Sequence, residues 1–123
     1  MKTRFFNFLL VCFAANVFTP LAFSNQVEVV DVNIKPQGKN QYRFDVTLRH
    51  DDQGWDHYAN RWEILDTTGK ILATRTLHHP HVNEQPFTRS LTTTLPDNIK
   101  TVIIRGHDSV HQYEGKEMKV SLP

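Results

Sequence analysis

Apolar and polar side chains alternate through most of the chain beyond residue 25. In "YRFDVTLRH", Tyr42, Phe44, Val46 and Leu48 share one face, and Arg43, Asp45, Thr47 and Arg49 the other. A period of two is that of a half-buried β-strand. "VVDVNI" (Val29 to Ile34) precedes it across the turn-rich break "KPQGKN", and "NRWEIL" follows, with Trp62 and Ile64 on one face. "DTTGK" (Asp66 to Lys70) reads as a hairpin turn. "ILATRTL", "FTRSLTTTL", "TVIIRG" and "EMKVSL" supply four more strands, with "LPDN" as the turn before the sixth. No stretch sustains a helical period, and no internal repeat is visible. Short strands with a turn signal every ~10 residues predict an all-β fold. The expected form is a seven-stranded antiparallel sandwich of immunoglobulin or fibronectin-III type. Its expected core is Val30, Val32, Ile34, Phe44, Val46, Leu48, Trp62, Ile64, Leu91, Val102, Ile104, Met118 and Val120.

The start of the chain has a different pattern. Lys2 and Arg4 precede an apolar run from Phe5 to about Phe18, and Ala22 and Ser24 are small residues three and one before a cut ahead of Asn25. This is the layout of a secretory signal, so residues 1–24 are expected to be removed and 25–123 to form the sandwich domain. The run is too short for a stable membrane anchor. Cys12 lies inside it and not after it, so lipid attachment is not indicated. Without the signal the chain has no cysteine, because Cys12 was the only one. In an oxidising periplasmic or secreted location the fold must then rest on its core or on a bound ion. Lys2 and Arg4 are two of the 14 basic residues, which leaves 12 against 13 acidic ones. That balance speaks against nucleic acid and against an anionic membrane surface.

All seven histidines lie beyond the signal. Each strand crosses a sandwich once, so successive connections alternate between its two ends. The first, third and fifth (35–40, 66–70 and 95–98) belong to one pole. The second, fourth and sixth (50–58, 78–86 and 107–115) belong to the other. His50 and His57 fall in the second, His78, His79 and His81 in the fourth, His107 and His111 in the sixth. None falls at the opposite pole. The same three loops hold Asp51, Asp52, Asp56, Glu84, Asp108 and Glu114.

Imidazoles and carboxylates gathered at one place are ligands for zinc, copper(II), nickel or iron. With no thiolate and Met118 far along the chain, copper(II) or zinc is the expected ion. In "HPH", Pro80 biases His79 towards an extended backbone, where residues two apart share a face. In "HDSVH", one helical turn would project His107 and His111 together, with Asp108 orienting a ring. His50 shares the inward parity of Phe44 and Leu48. Arg89 has the parity of Phe87 and Leu91, which turns a charge inward and calls for Glu84 or Asp56 as partner. The ligands expected first are His57, His79, His81 and His107, with His50 and His111 next. Asp56, Glu84, Arg89 and Asp108 support them. His78 has the opposite parity to His79.

Metal handling or delivery, with a periplasmic protein as the expected partner, is the function these residues favour. The alternative is a module that binds a protein or small ligand through the same loops, using Trp55, Tyr58, Asn83, Gln85 and Gln112. A metal-dependent enzyme ranks below both, since nothing specifies a substrate and no nucleophile-elbow motif supports hydrolysis.

"GWDHYANRWEILD", "HPHVNEQPFTR" and "HDSVH" together resemble a family of small exported bacterial proteins, over most of residues 25–123. The resemblance implies export and brings no activity with it. In architecture alone the chain is similar to immunoglobulin-like sandwiches that bind metals through end loops. The superoxide reductases among them use four histidines and a cysteine on iron, and that cysteine has no counterpart here.

Overall fold

A computed structural model describes residues 25–123, and the expected export signal over 1–24 lies outside the described residues. The strands are β1 (Glu28–Gly38), β2 (Gln41–Arg49), β3 (Ala59–Leu65), β4 (Ile71–Thr76), β5 (Phe87–Thr94), β6 (Thr101–Asp108) and β7 (Met118–Ser121). They form two antiparallel sheets, in the orders β1-β2-β5 and β4-β3-β6-β7. In a constant-type immunoglobulin domain the fourth strand would join the first sheet. Here β4 stays beside β3 because the 66–70 turn is a tight hairpin. Asp66 Oδ1 accepts from Thr68 N–H (2.9 Å), Thr68 Oγ1 (2.6 Å) and Lys70 N–H (3.0 Å). Gly69 takes φ = +90°, a conformation that side chains disfavour. Among the described residues there is no helix, and so none long and apolar enough to cross a membrane.

One apolar core joins the two sheets. Val29, Phe44, Val46, Leu48 and Phe87 come from the first, and Ala59, Trp62, Ile64, Val102 and Ile104 from the second. The expected core differs most on β1. Simple alternation puts Val30 inside, yet Val27 and Val29 are buried and Val30 is only half-buried. The register slips between Val29 and Asp31, where Val29 pairs with Leu48 but Asp31 with Thr47. A bulge there inserts one residue and reverses the parity. Val32 and Ile34, beyond it, pack against the core edge as expected. Leu77 and Leu95, buried just outside strand ends, complete the interior.

The connections alternate as strand crossing requires. At one pole Leu95 N–H donates to Asn40 O (2.8 Å), and the Asn40 side chain reaches Asp97. At the other, the second, fourth and sixth connections meet. Tyr58 N–H donates to Ser109 Oγ (3.1 Å) and Ser109 N–H to Tyr58 O (3.1 Å), while His50 N–H donates to Gln85 Oε1 (3.0 Å).

Candidate metal centre

The inward face of β2 does not stop with the strand. Phe44, Val46, Leu48 and His50 follow one another at every second residue, and His50 is fully buried. One further step along that face stands Asp52, also buried. Its Oδ1 accepts from His50 Nδ1 (2.5 Å) and from Ala59 N–H (3.0 Å), and its Oδ2 from His81 N–H (2.6 Å). A carboxylate only accepts, so His50 carries its proton on Nδ1. Nε2 is left pointing at the pole's interior. Burial pushes the Asp52 carboxyl up, but the His50 ring and the His81 and Ala59 amides outweigh it and hold it below the usual range.

From the other sheet comes Asp108. Along β6, Val102, Ile104, Gly106 and Asp108 point inwards, and Asp108 is fully buried at the strand's last position. Its Oδ1 accepts from Val110 N–H (2.8 Å) and from His111 N–H, which shapes the turn after the strand. Its Oδ2 has no hydrogen-bond partner, and neither has Nε2 of His50 or of His57. These atoms face one another. His50 Nε2 lies 3.2 Å from Asp108 Oδ2, and His57 Nε2 3.6 Å from Asp108 Oδ1. One ligand atom from each of the three residues falls within 4.8 Å of the others. Tetrahedral ligands on bonds of ~2.0–2.1 Å stand ~3.3 Å apart, so the edge from His50 to Asp108 Oδ2 already has coordination length, whereas the 3.6 Å of His57 is to the other carboxylate oxygen. Left unpaired, each such atom costs about 1–3 kcal/mol.

The remaining expected residues divide into those at this cluster and those away from it. His111 sits beside it, its ring centroid 5.1 Å from that of His57. His81 is buried and stacked on Phe87 (4.2 Å, 10°), with neither ring nitrogen hydrogen-bonded. Burial, then Arg89 and His79, lower its pKa below the ordinary imidazole value. His79 is exposed, 4.7 Å from the His81 ring, and His78 is exposed too. His107 faces the other way. The sequence reading ends β6 at Gly106, but pairing with β3 continues through His107 and Asp108. An extended backbone at that point alternates its side chains. Asp108 therefore turns in, while His107 turns onto the outer face beside Asn60 (Nδ1–Oδ1 2.6 Å) and Tyr113. The expected His107–His111 pairing on a helical turn is thus not formed. Burial, then Arg61, lower the His107 pKa.

Asp56 is exposed and meets the sixth connection only through its carbonyl, which accepts from Ser109 Oγ (3.3 Å). Arg89 takes Glu84 as its partner through two parallel bonds of 3.0 and 3.1 Å, which keeps the Glu84 carboxyl low and raises Arg89. That pair braces the fourth connection and stands apart from the cluster. Asp52 and Gln85 belong to the site although neither is among the expected ligands or their supports. Asp52 was legible, since it continues the same alternation as His50. Gln85 was not: its Oε1 takes the His50 N–H and its Nε2 donates to His81 O (3.0 Å), a bridge that only the meeting of two loops creates.

No protein-family model matches the chain, and no solved structure matches it. A protein of Halomicrobium mukohataei named "Putative lipoprotein" is similar to it, 42% identical over 95 residues, which cover 77% of this chain and 47% of the relative. The chain spans about half the length of the curated relative it matches.

Proposed function

We propose that the protein is an exported transition-metal-binding protein, with zinc or copper(II) held by His50, His57 and Asp108 for handling or delivery in the cell envelope. The observation that carries this reading is the convergence of three unpartnered, buried ligand atoms, with Asp52 fixing the tautomer of one of them. A carboxylate behind a ligating imidazole orients the ring and raises its basicity. Three protein ligands leave a position for exchange, which a carrier needs, and His111 is the nearest further donor. The export signal expected over 1–24 and the name of the relative support an envelope location. The partition into three and four strands supports the fibronectin-III form of the sandwich.

Metal analysis of protein purified without an affinity tag, followed by zinc and copper(II) titration under thermal unfolding, tests the proposal. An ion at 100 times its Kd stabilises by about 2.7 kcal/mol, which for a domain of this size raises Tm by roughly 10 °C or more. A chelator should reverse the rise. His57→Ala, at a ligand still partly open to solvent, should abolish it without unfolding the chain. A Tm indifferent to both ions would end the metal reading. It would favour a loop interaction module, for which Trp55 (66% exposed), Val82 (55%) and Val110 (53%) around the same pole offer apolar contact.

A further inference from the structure

The His79-Pro80-His81 segment has properties that the buried cluster does not use. His81 is 6% exposed, lies flat on Phe87, and has no hydrogen-bond partner at either ring nitrogen. A polar ring so placed is normally paired. No carboxylate meets it directly, since its Nδ1 stands 4.0 Å from Asp52 Oδ2 and Glu84 is taken by Arg89. The neighbouring imidazole is His79, at a centroid distance of 4.7 Å and a tilt of 37°. His79 Nδ1 donates to Pro80 O (3.1 Å), which leaves the Nε2 lone pair of an exposed ring free. Each ring therefore has a nitrogen without a protein partner, one set in the wall and one exposed to solvent.

The geometry points to a second metal site at His79 and His81, a shallow two-imidazole site that captures a divalent transition ion and loads the buried centre from the surface. Two protein ligands bind more weakly than three and exchange faster. The sites also share one group. Asp52 takes the His81 main-chain N–H on one oxygen and the His50 ring N–H on the other, so the capture loop is tied to the ring that would receive the ion. The loading step rests on the buried triad being a metal centre; the capture site itself does not.

Zinc stoichiometry by native mass spectrometry, with stopped-flow uptake against a chromophoric chelator, tests both parts. The wild-type chain should take two zinc ions, one tight and one weak. His79→Ala, an exposed change, should lose the weak ion, keep the tight one within about twofold, and load it about tenfold more slowly, a barrier higher by ~1.4 kcal/mol. His81→Phe preserves the stack on Phe87 and should behave in the same way. His57→Ala should lose the tight ion and keep the weak one. Two ions on His79→Ala, or uptake at the wild-type rate, would overturn the inference. A His57→Ala chain that binds zinc like wild type would instead remove the buried centre and leave the capture site to be judged by His79→Ala alone.

Discussion

Asp52→Asn is the sharpest probe of how the pole is held together. The two carboxylate oxygens accept three buried N–H groups, from His50, Ala59 and His81. An amide keeps one acceptor oxygen and brings a donor in place of the other. If the oxygen serves His50 and Ala59, the new NH2 faces the His81 amide, donor against donor. If it serves His81, the new NH2 faces the Ala59 amide, and His50 must give up its Nδ1 proton to accept from it. Losing a charge-assisted bond costs about 1.5–3 kcal/mol, and a stranded buried donor about 1–3 kcal/mol more. The expected destabilisation is thus roughly 3–5 kcal/mol, or a fall in Tm of at least roughly 10 °C. Urea unfolding in the presence of a chelator measures it, with an unchanged m-value as the sign that only the native state was affected. The pH dependence supplies an independent check. Asp52 titrates lower in the folded chain than its unfolded value of about 3.9. Its contribution is then full above about pH 4 and lost as pH falls through the folded value, so the gap between wild type and variant should narrow in acid. A variant within about 0.5 kcal/mol of wild type at neutral pH would refute the idea that this carboxylate organises the site.

Two other expectations follow from packing and from the outer face. A Cβ on Gly115 would stand 1.6 Å from the backbone oxygen of Val27, which no side-chain rotation relieves, whereas at Gly106 the obstacle is the Val27 side chain at 2.2 Å. Gly115→Ala should therefore destabilise by more than the ~1–3 kcal/mol usual for overpacking, and by more than Gly106→Ala; equal midpoints in urea would contradict this. His107, whose folded pKa lies below the ordinary value, binds its proton less readily folded than unfolded. Its neutral form is fully accommodated above about pH 6.5, and stability is lost as pH falls from there towards the folded pKa. His107→Gln, compared with wild type in chelator between about pH 7.5 and 5, should show a shallower loss of stability. Identical profiles would place the titration elsewhere.

Much of this architecture was legible in the order of residues, because alternation of period two is a direct record of which face is buried. Phe44, Val46, Leu48, Trp62, Ile64, Val102 and Ile104 all lie where that alternation puts them. The gathering of the even-numbered connections at one pole follows from strand count alone. Less legible was whatever depended on a local slip or on a strand's exact length. The bulge at Val30 reverses β1 parity without a glycine or proline to mark it. The two extra residues of β6 exchange the roles of His107 and Asp108, sending the imidazole outwards and the carboxylate inwards. Counting histidines favoured His107, but the face that reaches the pole's interior belongs to its neighbour.

One consequence concerns how this chain stays closed. His50 directly follows a strand of the three-stranded sheet and Asp108 ends a strand of the four-stranded one, and their side chains stand 3.2 Å apart. In antibody domains a disulfide between the second and sixth strands of the sandwich staples the two layers, and residues 25–123 contain no cysteine to make one. An ion seated between these side chains would close a loop of about the same span. Restricting the unfolded chain over some 60 residues is worth about 4 kcal/mol in the loop-entropy picture. The polar cluster at this end would then be the chain's reversible rivet, fastened with an ion seated and undone without one.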